Sequence, residues 1–277
     1  MFSPYYAWAR LRHGGTADPL DHCAINVALY GESRGEGRWA MTERRRTSVH
    51  RDATALHVGA SCMRWDGDAL VIDIDELTAP VPSRLRGRVR VHPQALAQRS
   101  FDLDAAGRHR WRPIAPCARV EIAFERPSLR WQGTGYVDSN TGERPLEADF
   151  TRWSWSRSAL GHRRCAVLYD PVRRDGTNAL LALDFDAQGD AAAFDAPPPA
   201  PLPRTGWRLD RATRCDAGAA PALRRTLEDA PFYARSLIET TLLGERAVAV
   251  HESLSLARLD TPWCRAMLPF RMPRALR

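Results

Sequence analysis

The chain contains no lysine, so all 40 of its basic side chains are arginines, set against 33 acidic ones for a net charge of +7. An arginine excess attracts nucleic acid, anionic lipid headgroups or acidic partners. The arginines are scattered, with "ERRR" at 43–46 the densest knot, and no zinc-finger, RNA-binding or helix-turn-helix signature accompanies them, so no nucleic-acid partner is expected. No uninterrupted apolar run exceeds five residues, and the first residues lack the basic and apolar tracts of a signal peptide. A bilayer-spanning helix is therefore not expected, and the chain is placed in the cytoplasm or against a membrane. C-x-x-C pairs are missing too: Cys23, Cys62, Cys117, Cys165, Cys215 and Cys264 lie far apart, as free buried thiols in a reducing compartment do. There is no glycine-rich phosphate loop, nucleophile elbow or metal-binding helix motif, so neither a cofactor nor a metal is expected.

What is present is a long succession of short β-prone runs. With 277 residues, 44% of them hydrophobic, the chain can bury a substantial core. "CAINVALYG", "WAMTERR", "ALHVGAS", "CMRWDGDALVIDIDEL", "LRGRVRVHP" and "RSFDLDAAGRHRWRPI" are punctuated by Gly, Asp and Pro at hairpin-like intervals. In "DALVIDIDEL", Leu70, Ile72 and Ile74 alternate with Val71, Asp73 and Asp75, the pattern of an antiparallel strand with one dry and one wet face. After Pro116 a second series begins and runs to "HESLSLARL", with a short helix expected near residues 258–267. The proline-rich "APPPAPLPR" at 196–204 reads as a rigid connection between strands. The fold class is all-β, as two antiparallel barrels or sandwiches in tandem.

One stretch, "WQGTGYVDSN" at 131–140, poses a chemical question. As a strand it puts Tyr136 and Asp138 on one face and Val137 on the other. His109 and Trp111 share a face in "RHRWRP", as do Trp153 and Trp155 in "TRWSWSR". Aromatic residues at period two also pack in ordinary cores, and "DSNTG" is also a good loop sequence. A carboxyl group buried without a partner is costly and tends to stay protonated, which singles out Asp138. His22, Glu43 and His251 are read as surface or satisfied polar residues.

"FSPYYAWAR", "DHCAINVALYG", "WAMTER", "RHRWRPIAP", "GYVDSN", "LEDAPFYARS", "HESLSL" and "LPFRMPR", spread nearly end to end, resemble the carotenoid 1,2-hydratase (hydroxyneurosporene synthase) family. The resemblance implies tandem lipocalin-like barrels, taken as 1–112 and 113–277, and cofactor-independent addition of water across the carbon 1,2 double bond of acyclic carotenoids in photosynthetic bacteria. Its motifs imply four catalytic positions: Asp138 as proton donor, Tyr136 positioning the acid or water, His109 activating water or returning the proton, and Trp111 facing the cation. Trp153 and Trp155 are expected as walls of the substrate site. Family members carry a further segment before "FSPYYAW", so a chain starting at Met1 is expected to lack a strand of its first barrel. Two other readings use the same cavity: a carotenoid or lipid carrier, and a cofactor-free polyene cyclase. A forty-carbon hydrocarbon must be drawn from a bilayer, so peripheral contact with an anionic inner or photosynthetic membrane is expected.

Overall fold

A computed structural model of the chain describes residues 3–31 and 36–275. Met1 and Phe2, on which the expectation of a missing first strand rests, lie outside the described residues. The protein is all-β in its main elements. The first ten strands are β1 (Asn26–Leu29), β2 (Arg38–Met41), β3 (Val49–Arg51), β4 (Ala55–Val58), β5 (Ser61–Asp66), β6 (Ala69–Leu77), β7 (Arg84–Pro93), β8 (Phe101–Asp102), β9 (His109–Arg126) and β10 (Leu129–Gly142). Then follow β11 (Phe150–Leu160), β12 (Arg164–Arg173), β13 (Leu181–Phe185), β14 (Ala191–Ala193), β15 (Pro199–Leu202), β16 (Arg211–Arg214), β17 (Ala222–Asp229), β18 (Tyr233–Leu242) and β19 (Glu245–Ser255).

Two large sheets dominate. One has the order β10-β9-β7-β6-β5-β4-β3, with β8 added beside β9, and the other the order β14-β13-β12-β11-β19-β18-β17. Most neighbours are sequential, as hairpin meanders require. The exceptions are β9 beside β7, where β8 is passed over, and β11 beside β19, where the chain returns to the middle of the second sheet. That pairing sets Trp155 between Tyr169 of β12 and Glu252 of β19.

The chain divides into two compact units, one of Met1–Pro93, Arg119–Gly135 and Arg265–Arg277, the other of Gln94–Ala118 and Tyr136–Cys264. The boundary drawn from sequence at 112/113 falls inside β9, which runs unbroken through Pro113 and Pro116. The core of the first unit gathers Val27, Ala40, Ile74, Leu85 and Phe124. On β6 the expected alternation is visible, but Val71 on the polar face is fully buried. Glu76, buried on the face of Leu70, Ile72 and Ile74, is answered by Arg44 at 2.7 Å and by the Ser61 hydroxyl at 2.7 Å.

Among the described residues, short α-helices also occur: α1 (Pro4–Arg12), α2 (Leu146–Asp149), α3 (Leu256–Leu259) and α4 (Pro262–Met267). The last two occupy the region where a short C-terminal helix was expected. Residues 4–12, for which no element is expected from the sequence, form helix α1. Its start explains the outcome: Ser3 caps the Tyr6 amide at 2.9 Å, Pro4 opens the first turn, and Arg10 and Arg12 lie in the last. The proline-rich 196–204 segment is also more than a connection. Its residues Pro199–Leu202 form β15, which pairs with β16 in a separate two-stranded ribbon, a place where prolines are tolerated because no second neighbour needs their missing N–H. No helix among the described residues is long and apolar enough to cross a membrane.

Candidate functional site

The site lies in the second compact unit and starts from two strands. On β9, alternation turns His109, Trp111, Pro113 and Ala115 inward, while Arg110 and Arg112 point out. His109 and Trp111 are both fully buried. On β10, Tyr136 and Asp138 are half-buried residues of the strand, so the loop reading of "DSNTG" does not hold.

Asp138 is the meeting point. The Trp111 indole Nε1 donates to its Oδ2 at 2.8 Å, and the Tyr136 hydroxyl donates to the same oxygen at 3.0 Å. Neither donor engages Oδ1. Burial raises the Asp138 carboxyl above the usual carboxylate range; the bonds from Trp111 and Tyr136 pull it back, Glu252 pushes it up and Arg235 opposes that push. Burial beside this acid also holds the Tyr136 phenol well above its ordinary value, so Tyr136 stays a donor.

Aromatic rings surround the acid. Trp155 lies 5.2 Å from the Tyr136 ring, and Tyr169 lies 5.4 Å from Trp111 and 6.1 Å from Trp153, all in tilted contacts. Phe101 covers Trp111 at 5.5 Å. The Arg157 guanidinium sits 6.0 Å from the Tyr136 ring centroid. Tyr169 is buried, its hydroxyl donates to Asn140 Oδ1 at 3.1 Å, and burial pushes its phenol up as well. Thus Trp111, Tyr136, Asp138 and Trp155 come together directly, and Trp153 joins through Tyr169.

His109 pairs with a different carboxyl. Its Nε2 meets Asp149 Oδ2 at 2.8 Å, at the end of α2, and its ring packs edge-on against buried Phe150 at 5.0 Å. Arg144 approaches the same Asp149 oxygen at 3.2 Å and Arg108 the other at 3.4 Å. A carboxylate accepts, so the hydrogen of this contact lies on His109 Nε2. That Nδ1 is buried without a partner among the described residues. A methyl group added at Gly142 would come within 2.7 Å of it, so glycine is required there.

Sequence reasoning missed Tyr169, Asn140 and Asp149. The first sits one strand away in a register that only pairing reveals, and Asp149 hides in "EADF". Two residues read as surface or satisfied are buried. Glu43, fully buried in the first unit, accepts from Ser3 and Arg274 and lies 3.0 Å from His22 Nδ1. His251 donates from Nε2 to the Ala212 carbonyl at 3.0 Å, while its Nδ1 is without a partner among the described residues. All six cysteines are free thiols. Among the described residues no group of three or more His, Cys, Asp or Glu side chains is placed to hold a metal.

The sequence profile of the carotenoid hydratase CrtC family matches residues 1–277. The chain is 56% identical over 275 residues to the acyclic carotenoid 1,2-hydratase of Thiocapsa roseopersicina, covering 99% of this chain and 67% of that protein. It is 45% identical over 274 residues to the protein of the same name from Rubrivivax gelatinosus, with the same coverage. To that of Rhodobacter capsulatus it is 41% identical over 276 residues, spanning 99% of this chain and 95% of the relative. The chain therefore belongs to the carotenoid hydratase CrtC family and is an enzyme, a hydro-lyase.

Proposed function

We propose that this protein adds water across the carbon 1,2 double bond of acyclic carotenoids such as neurosporene and lycopene, with Asp138 as the acid. A trisubstituted alkene is a very weak base, so the reaction begins with proton transfer to carbon 2 and leaves a tertiary cation at carbon 1. The observation that carries the reading is the pair of donors on one oxygen of a carboxyl whose burial favours the neutral form. With Trp111 and Tyr136 both on Oδ2, the proton sits on Oδ1 and is presented from there.

The aromatic rings stabilise the cation through their quadrupoles, each by about 0.5–2 kcal/mol when desolvated. Trp111 spends its N–H on the acid, so Tyr169, Trp153 and Trp155 supply ring faces alongside its own. Water bonds to carbon 1, and the proton it loses goes to His109 Nδ1 and on to solvent, while solvent reprotonates Asp138. The sum is alkene plus water to tertiary alcohol, with no change of oxidation state, so the route calls for no redox cofactor.

Two lipocalin-like halves, 1–112 and 113–277, belong to the same reading. The β11-to-β19 sheet falls entirely within the second half, and most strands of the other sheet fall within the first. The carotenoid is drawn from a bilayer that the protein touches through arginines, so contact weakens as salt rises.

The test is incubation with lycopene in liposomes made up in heavy water, beside Asp138→Asn. A product heavier by one water and carrying deuterium at carbon 2, lost by about 10²–10⁴-fold in the variant, is expected. A product with no water added but one hydrogen replaced by deuterium, separable from lycopene, would establish cyclisation instead, and binding without product would establish a carrier.

A further inference from the structure

We infer that a pocket where the start of β11 meets the end of β19 seats the phosphate of an anionic lipid headgroup, with Trp207 and Trp263 lying in the membrane interface beside it. The inference rests on the reading that the substrate comes from a bilayer, and it names the surface that does the docking.

The pocket has a volume of about 370 Å³ and is lined by Arg152, Arg208 and Arg258 among other residues. Arg152 and Arg208 are exposed, and neither guanidinium has a hydrogen bond or ion pair among the described residues. Asp210 also lines the pocket, but Arg204 answers it at 2.6 Å. Arg258 meets no carboxylate and donates instead to three carbonyls, those of Trp207 at 2.6 Å, Pro231 at 3.1 Å and Arg208 at 3.3 Å. Three cationic side chains thus line one recess whose carboxylate, Asp210, is already answered by Arg204, and guanidinium forks match phosphate oxygens in geometry.

The same Arg258 fixes the adjoining loop. Residues 205–209 turn tightly, with the Arg208 amide on the Thr205 carbonyl at 2.9 Å, the Leu209 amide on the Thr205 hydroxyl at 3.2 Å, and Arg208 in the left-handed region at φ 56°. Trp207 stands at the tip, 43% exposed, stacked at 6.4 Å on Trp263 of α4, which is 47% exposed. A water-soluble surface gains nothing from an exposed pair of indoles, whereas the headgroup layer of a bilayer is where indoles reside. A cationic recess beside stacked tryptophans complements an anionic phospholipid on both counts.

Trp153 also lines this pocket, and its other neighbour is Tyr169 of the catalytic aromatic group. The docking surface therefore borders the place where the polyene would be received.

Co-sedimentation with phosphatidylcholine vesicles, with and without phosphatidylglycerol, tests the assignment. The intact chain should bind the anionic vesicles. Arg152→Glu/Arg208→Glu and Trp207→Ser/Trp263→Ser should each weaken that binding at least about tenfold. Arg130→Glu/Trp131→Ser, an exposed pair of the same chemistry elsewhere, should not. Equal losses in all three variants, or none in the first two, would overturn the proposal. So would inorganic phosphate that protects Arg208 from chemical modification while vesicle binding ignores the arginine reversals, since the recess would then serve a free anion. Hydration of detergent-dispersed lycopene reads the catalytic proposal separately. If it fails while vesicle binding depends on the pocket, hydration is wrong and docking stands.

Discussion

The indole N–H of Trp111 and the carboxyl of Asp138, on neighbouring strands β9 and β10, are joined at 2.8 Å. The bond opposes the effect of burial, because it favours the charged carboxylate that burial disfavours. An acid donor is competent when protonated. Hydration should therefore be complete below the raised pKa of Asp138 and decline as pH climbs through it.

Trp111→Phe and Tyr136→Phe each delete a donor that favours the carboxylate. The activity left in either variant should fall off at a higher pH than in the parent, even though the maximum rate is lower. A pH–rate profile measures this, and a decline displaced to lower pH would sink the assignment of Asp138 as the acid.

The contact between His109 and Asp149 predicts a tautomer. Nitrogen-15 spectra of labelled histidine should show His109 with its hydrogen on Nε2, and Asp149→Asn should yield a mixture and reduce kcat about tenfold or more with little change in KM. Gly142→Ala should reduce kcat as well, since its methyl group crowds Nδ1. A parent spectrum with hydrogen on Nδ1 would remove His109 as the base.

His251 predicts a slope in stability. Burial, aided by Arg211 and opposed by the bond to Ala212, lowers its pKa to about 4 from 6.5. The unfolded chain binds the proton more readily, so the contribution of His251 is whole above pH 6.5 and disappears as pH falls toward 4. The loss approaches about 3 kcal/mol. Denaturant unfolding at pH 7 and 4.5 should show a smaller drop in His251→Asn than in the parent.

Glu43 predicts a penalty unrelated to chemistry. Its carboxylate is fully buried against Arg274, Ser3 and His22. Removing one partner of such a pair leaves the other uncompensated, at a cost of about 3–5 kcal/mol. Glu43→Ala should lower Tm substantially, and a Tm within a degree of the parent would contradict this account.

Much of the site was legible because strands have a period of two. His109 and Trp111, or Tyr136 and Asp138, can be paired on paper as soon as the segment is taken for a strand. What the period does not reveal is which strand lies alongside. Tyr169 faces Trp155 only through the β11–β12 register, and His109 finds Asp149 only because one turn of helix follows β10. The bond from the Trp111 N–H to the acid is also beyond the period, because it is set by ring orientation. Helix α1, for which no element is expected from the sequence, starts from a serine cap and a proline. That one strand, β9, runs on through Pro113 and Pro116 is likewise not written in the pattern, since prolines normally break strands.

Both donors address a single oxygen of Asp138, and this has a stereochemical consequence. A proton that leaves from the other oxygen approaches the alkene from one fixed direction. In heavy water, carbon 2 would become a CHD centre of one handedness, so the hydrated carotenoid would record in its isotopic chirality which oxygen delivered the proton.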